Sequence, residues 1–215
     1  MHIEVCLGNL HKECDIALKL IQRFFVINKI NRVLKLVYDF ELDEQGTYWA
    51  GDKNTIVINP DNCFNMRMYD DEDDSKDNMF FLHYLDDNSL MAGILHEFAH
   101  FICFQLFKSL LVDYKQEFPN NRLYLSSYSN SECDEELANV IQVYIANPFL
   151  LKLVSEDHYN FLKRYFKSPT PCSSKDCFNK YQKFPIHIKN HLKTKWEIEY
   201  NQATDTFDKI KKKEA

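Results

Sequence analysis

Residues 90–104 constrain the fold more than any other segment, because His96, Glu97 and His100 are the only polar side chains in this apolar run. An apolar run of this kind predicts a helix buried inside a domain. Burial removes polar groups from water, so these three side chains need partners within the protein. His96 and His100 lie about one turn apart on the same helix face, and Glu97 lies about 100° round the helix.

The same residues spell H-E-x-x-H, a pattern typical of zinc sites built on a helix. Two neutral imidazoles suit Zn²⁺, and a catalytic zinc keeps three protein ligands and one open position for water. Glu97 would then act on that water without being a ligand. The alternative is a structural pair of histidines that bind backbone carbonyls. The metal-site interpretation requires a third ligand elsewhere in the chain.

A second helix is predicted downstream, beginning near residue 131. Ser131 followed by Asp134 resembles a capping box, and the pattern runs from there toward Pro148. Apolar residues follow the spacing of one buried helix face at Leu137, Val140, Ile141, Tyr144 and Ile145.

The first turn of this second helix offers carboxylates for the third ligand. Glu135 fits best, because it shares the inward face with Ala138 and Asn139. The small Ala138 allows a close approach of the two helices, and Asn139 could hydrogen-bond a ligand histidine. Glu132 together with Glu136 is the alternative, and each acid could instead be a solvated residue favoured by the helix dipole.

These motifs together resemble a known group of enzymes. H-E-F-A-H at 96–100, followed by Glu135-x-x-Ala138-Asn139 and then Pro148, is similar to the gluzincin metallopeptidases, and most similar to the ImmA/IrrE-type peptidases. The resemblance covers roughly residues 54–148. It implies a zincin-like fold with an active site on the H-E-x-x-H helix.

The resemblance also implies a role for each matching residue. His96, His100 and Glu135 would bind Zn²⁺, with Glu97 as general base. Tyr128 lies seven residues before Glu135 and resembles the tyrosine of anthrax lethal factor-type peptidases, which stabilises the tetrahedral intermediate. An ordinary loop tyrosine is the alternative for Tyr128.

The order of helical and strand patterns in this chain of 215 residues predicts the α+β fold class. We expect a zincin-like core over 1–148, with a helical C-terminal extension over 149–215 packed on the same domain. The core should hold an N-terminal helix over 15–29 and a small antiparallel or mixed sheet from 33–42, 47–49 and 54–59.

The strand over 54–59 could offer an edge to which an extended substrate adds through Ile56 and Ile58. Beyond Pro148 we expect one or two helices, broken near 168–171. A last helix should start near Pro185 and carry Trp196 and Ile198.

Several other features argue against a membrane, nucleic-acid-binding or disulfide-rich protein. The net charge of −6 argues against a nucleic-acid partner. The sequence has no apolar run of eighteen residues, and its first residues lack a basic region followed by an apolar one, so neither a transmembrane helix nor an ordinary signal peptide is expected. Seven cysteines without C-x-x-C spacing indicate reduced thiols. The acidic run 70–74 lacks the spacing of a calcium loop and reads as an exposed loop. Cys172 with Cys177, and His187 with His191, are not expected to bind metal.

The predicted function is zinc-dependent hydrolysis of peptide bonds in a protein substrate by a monomer with no membrane anchor. One setting is an effector of an intracellular bacterium, delivered by a specialised secretion system into a host cytosol. Only four glycines, with abundant Lys, Asn, Phe and Tyr, are compatible with an AT-rich genome. The alternative setting is a cytoplasmic ImmA/IrrE-type regulatory peptidase, or a binding protein, that acts on a specific repressor.

Overall fold

A computed structural model describes residues 2–6, 12–43, 46–48, 54–61, 89–119, 132–170, 196–201 and 206–211. The strands are, in chain order, β1 (His2–Cys6), β2 (Val33–Tyr38), β3 (Gly46–Tyr48), β4 (Thr55–Ile58), β5 (Trp196–Asn201) and β6 (Thr206–Lys211). The α-helices are α1 (Lys12–Ile27), α2 (Ser89–Phe101), α3 (Leu110–Glu117), α4 (Cys133–Ala146), α5 (Pro148–Val154) and α6 (Glu156–Tyr165). A π-helical turn, Ile102–Leu106, extends α2. The α+β class expected from the sequence is compatible with this arrangement.

The first four strands form one sheet in the order β1-β2-β4-β3. β1 pairs with β2 and β2 pairs with β4 in parallel, while β3 pairs antiparallel with β4. The sheet is therefore mixed, one of the two arrangements expected, and the antiparallel alternative does not hold for β2 and β4. The physical reason is β3, which precedes β4 in the chain and runs antiparallel to it at the edge of the sheet, so β4 returns in the direction of β2 and pairs between β2 and β3. The sequence analysis also missed β1, which α1 joins to its parallel neighbour β2 as a crossover.

Helix α1 is amphipathic and packs against α2. Its buried residues are Ala17, Leu18, Ile21, Phe24 and Phe25. The Phe98 ring of α2 meets Phe24 and Phe25 edge-on, with ring centroids 5.4 Å and 5.6 Å apart. Edge-to-face aromatic pairs add to the free energy of apolar burial, so this cluster fixes α2 in the core.

Helix α4 is the central helix of the described core. Every residue from Glu136 to Ala146 is buried. It packs against α2, and the Gln142 side-chain amide of α4 donates to the carbonyl of Ala92 in α2 across 2.9 Å. This buried bond holds the two helices side by side three residues beyond Asn139.

The start of α4 differs from the prediction. Its N-cap is Glu132, in extended conformation and without a side-chain capping bond, whereas the capping box placed the cap at Ser131. Ser131 itself lies outside the described residues. The helix therefore begins one residue later than expected.

The helices after α4 agree with the prediction of one or two helices before residue 168. Asn147 caps α5 by accepting from the Leu150 amide at 3.1 Å, and Pro148 occupies the first turn, where its missing N–H costs nothing. Ser155 caps α6. Both helices pack on α4. The division into 1–148 and 149–215 stays a prediction.

The helix predicted through Trp196 and Ile198 is wrong, because these residues lie in an antiparallel hairpin. β5 and β6 pair from Trp196 with Lys211 to Asn201 with Thr206. The alternation of Trp196, Ile198 and Tyr200 with acidic residues has the period of a strand, and it outweighed the helical spacing seen from Pro185. The C-terminal part is thus not wholly helical.

No single described helix has both the length and the apolar character needed to cross a membrane. Leu90–Leu106 and Leu110–Glu117 meet the requirement only as a pair, with a 103° bend between them.

Candidate metal centre

His96 and His100 lie on the partly exposed side of α2, a helix that is otherwise mostly buried. Their side chains are 15% and 10% exposed, and Glu97 is 8% exposed. The helix is fixed on its other faces by apolar residues such as Leu95 and Phe98, both fully buried. The fold therefore leaves the two imidazoles partly exposed on a helix whose other faces are packed in the core.

Glu135, in the first turn of α4, meets both histidines. Its Oε2 lies 3.0 Å from Nε2 of His96 and 3.4 Å from Nε2 of His100. The two Nε2 atoms are 3.2 Å apart. Three donor atoms from two helices thus converge on one point, and they form a group able to hold a metal ion.

The separations of these donors fit zinc. Donor atoms around a tetrahedral zinc, with bonds of about 2.0–2.1 Å, lie roughly 3.3–3.4 Å apart. The observed separations of 3.0–3.4 Å are close to that spacing. Two imidazoles with one carboxylate also match the ligand set of catalytic zinc sites, which leave a fourth position open.

Asn139 sets the tautomer of His96. Its Oδ1 lies 3.0 Å from Nδ1 of His96, and Asn139 is fully buried. An amide oxygen only accepts hydrogen bonds, so Nδ1 must carry the hydrogen. The lone pair of Nε2 then points toward Glu135 and His100, which is the state that a metal ligand requires.

The electrostatics of the site favour a cation. Burial alone would raise the pKa of Glu135, but hydrogen bonds and charge from His100 and His96 lower it to about 2. Burial likewise lowers the pKa of His96, yet a hydrogen bond from protonated Nε2 to Glu135 and the charges of Glu97 and Glu135 raise it overall. A proton and a metal ion therefore compete for the same Nε2 lone pair. The carboxylates thus stabilise positive charge where the lone pairs meet.

The structure separates the three candidate acids of α4. Glu135 belongs to the converging group, as the sequence analysis preferred. Glu132 is exposed at the N-cap, and Glu136 is fully buried within the core. Neither belongs to the group of donors, so the alternative pair is not supported. Glu97 also stays outside the donor group but lies near enough for its charge to act on His96.

The substrate edge predicted on β4 is wrong. β4 pairs with β2 on one side and with β3 on the other, so it has no free edge. Ile56 and Ile58 are fully buried and belong to the core rather than to a substrate site. Their apolar character reflects an interior strand, which sequence alternation alone did not distinguish from an edge. The outer strand on this side is β3, which lies beside α2.

Phe104 is a residue near the site that the sequence analysis passed over. It lies on the π-helical turn after α2, is 40% exposed, and has its ring parallel to that of His100 with centroids 5.9 Å apart. The signal was available as an aromatic residue four positions after the second histidine.

Other predictions fall outside the described residues. These are Tyr128, the acidic run 70–74, the pair Cys172 and Cys177, and the pair His187 and His191.

Comparison of the chain with protein-family models, with curated proteins and with solved structures finds no significant match.

Proposed function

We propose that this chain is a zinc metallopeptidase that hydrolyses peptide bonds in a protein substrate. The observation that carries the proposal is the convergence of His96 Nε2, His100 Nε2 and Glu135 Oε2 within 3.4 Å of one another. Glu97 stands beside this group on the same helix without joining it. This arrangement provides the ligands and a separate base that zinc-dependent hydrolysis requires.

Each residue has a defined part in the proposed reaction. Zinc held by the three ligands would polarise the scissile carbonyl and lower the pKa of a water molecule toward about 7. The Glu97 carboxylate accepts the proton of the attacking water and then delivers it to the leaving amine. Asn139 holds His96 in the ligating tautomer. Tyr128 remains the proposed donor to the developing oxyanion, an effect typically worth about 3 kcal/mol.

We propose that an extended substrate pairs with β3, the outer strand of the sheet on the side of α2. β3 lies at the end of the described sheet and beside α2, which carries the two histidines. Backbone addition to the outer side of β3 would bring a peptide along the candidate site. β3 thus takes the part that the sequence analysis gave to β4.

Glu97→Gln tests the proposal, because an amide of the same shape cannot accept the proton. A peptide library from a digested proteome is incubated with zinc-loaded protein, and new N-termini are counted by mass spectrometry. We expect cleavage to fall by about 10²–10⁴-fold with zinc content unchanged. Glu156→Gln, an exposed acid on α6, is the matched control and should retain full cleavage.

The outcome also separates enzyme from binding protein. Zinc-loaded wild-type protein that yields no new N-termini would favour the alternative of a binding protein acting on a repressor. Equal cleavage by wild type and Glu97→Gln would refute the proposed base and leave the metal a structural role.

A further inference from the structure

The partly exposed positions of α2 form one stripe that includes the candidate site. Between residues 90 and 103, Gly93 and His96 are the positions that are not buried, and His100 and Glu97 lie just below the surface. The stripe continues to Phe104, which is 40% exposed. Spacings of three and four residues put these positions on one helix face. The stripe therefore places the Phe104 ring beside the candidate metal centre, next to His100.

Phe104 is an exposed apolar side chain whose ring contacts a histidine of the candidate metal centre. Single exposed apolar residues are common on protein surfaces and need no function. Phe104, however, lies parallel to the His100 ring, at 9° and 5.9 Å between centroids. By contrast the ring of Phe40, which lies in the turn after β2 and is 62% exposed, meets only the Tyr38 ring among the described residues. The exposed part of the Phe104 ring thus borders a ligand imidazole.

The π-helical turn accounts for this placement. Ile102–Leu106 winds more widely than the α-helix before it, and Ile102 and Cys103 remain buried while Phe104 stays exposed. Such turns occur frequently at functional sites. Two buried residues therefore anchor the turn that carries Phe104 at the rim of the site.

We propose that Phe104 forms the apolar wall of a substrate subsite beside the scissile bond, so that the enzyme selects a large apolar side chain there. This inference rests on the proposed peptidase function. Successive residues of an extended peptide rise by about 3.3 Å, and side chains on one face repeat every two residues. A peptide whose carbonyl lies at the three donors therefore brings a neighbouring side chain within reach of a ring 5.9 Å from His100.

Two tripeptide hydroxamates, identical except for a benzyl or a methyl side chain next to the hydroxamate, serve as probes. Their dissociation constants are measured by calorimetry on zinc-loaded protein. Wild type should prefer the benzyl compound by roughly 10–100-fold, as expected for burial of an aromatic side chain. Phe104→Ala should reduce this preference to within about threefold while retaining zinc. Phe40→Ala, the same change at an exposed site, should keep the wild-type preference.

The same variants are also compared by the residues found beside the bonds that they cleave in the peptide library. The residue beside the cleaved bond should be large and apolar for wild type and Phe40→Ala, and this bias should be lost in Phe104→Ala. An unchanged preference in zinc-loaded Phe104→Ala would overturn the inference. Loss of zinc from Phe104→Ala would also overturn it, because Phe104 would then be a positioning residue for His100.

The result distinguishes this inference from the proposed function. Wild-type protein that binds zinc and both hydroxamates equally would refute only the subsite. Wild-type protein that holds zinc, binds neither hydroxamate and cleaves no peptide would refute the peptidase function itself and the subsite with it.

Discussion

Replacing Asn139 with leucine should weaken zinc binding without touching a metal ligand. The buried Oδ1 of Asn139 accepts from Nδ1 of His96 at 3.0 Å and so keeps the Nε2 lone pair directed at the donor group. Leucine has nearly the same size but no acceptor. His96 then loses its fixed tautomer and orientation.

The magnitude follows from this single contact. Removing an outer partner of a ligand histidine typically costs 10–100-fold in metal affinity, or roughly 1.4–2.7 kcal/mol. The metal-free protein should also lose about 1–3 kcal/mol of unfolding free energy, because the buried Nδ1–H of His96 is left without its amide acceptor.

Competition with a chromophoric chelator measures the zinc dissociation constant, and urea unfolding of metal-free protein measures stability. Gln142→Leu is the matched control, since Gln142 is also a fully buried amide of α4 bonded to α2, through the Ala92 carbonyl. It should lower stability by a similar amount but leave zinc affinity within about twofold of wild type.

Two results would refute this reasoning. Wild-type zinc affinity in Asn139→Leu would show that Asn139 does not set the state of His96. Equal weakening in Gln142→Leu would show that helix packing, not the tautomer, controls zinc binding.

Three further predictions concern the third ligand, a buried histidine and the core. Glu135→Ala should lower zinc affinity by more than the roughly 10–100-fold expected when a residue that only supports a ligand is removed. Glu132→Ala should keep the wild-type zinc affinity. The reverse pattern would assign the third ligand to Glu132. Burial lowers the pKa of His158 from 6.5 to about 4, so the folded state resists protonation that the unfolded state accepts. Stability should therefore be full above pH 6.5 and fall by on the order of 3 kcal/mol as the pH drops to 4, and His158→Phe should flatten this part of an unfolding profile. Phe98→Ala should cost about 3–5 kcal/mol in urea unfolding, and a loss below 1 kcal/mol would contradict its place in the core.

The sequence predicted the grouping of His96, His100 and Glu135 better than the order of strands in the sheet. The spacing of His96 and His100 and the inward face of Glu135 follow from helix geometry alone, because a turn of about 3.6 residues fixes which side chains share a face. The small Ala138 beside Asn139 indicated a close helix pair, and the structure places α2 and α4 in contact.

Strand order could not be predicted in the same way, because it depends on contacts distant in sequence. The turn residues before Asn54 and at Pro60 indicated a short strand between them but not that two neighbours would cover both of its edges. β1 was missed because a short N-terminal segment becomes a strand only through its pairing with β2. In the hairpin after Trp196, apolar residues satisfied helical and strand periods at once, and the pairing of β5 with β6 decided between them.

The central claim, that two imidazoles and one carboxylate of this chain hold zinc, is tested most directly by X-ray absorption at the zinc edge. The sample is zinc-loaded protein whose metal content is known from elemental analysis. We predict about one zinc per chain, bound by four nitrogen or oxygen atoms near 2.0–2.1 Å, two of them from imidazoles. His96→Ala should contain much less zinc by elemental analysis, and its spectrum should lack the wild-type signal of two imidazoles. Absence of bound zinc, or sulfur ligands near about 2.3 Å from the cysteines, would contradict the account.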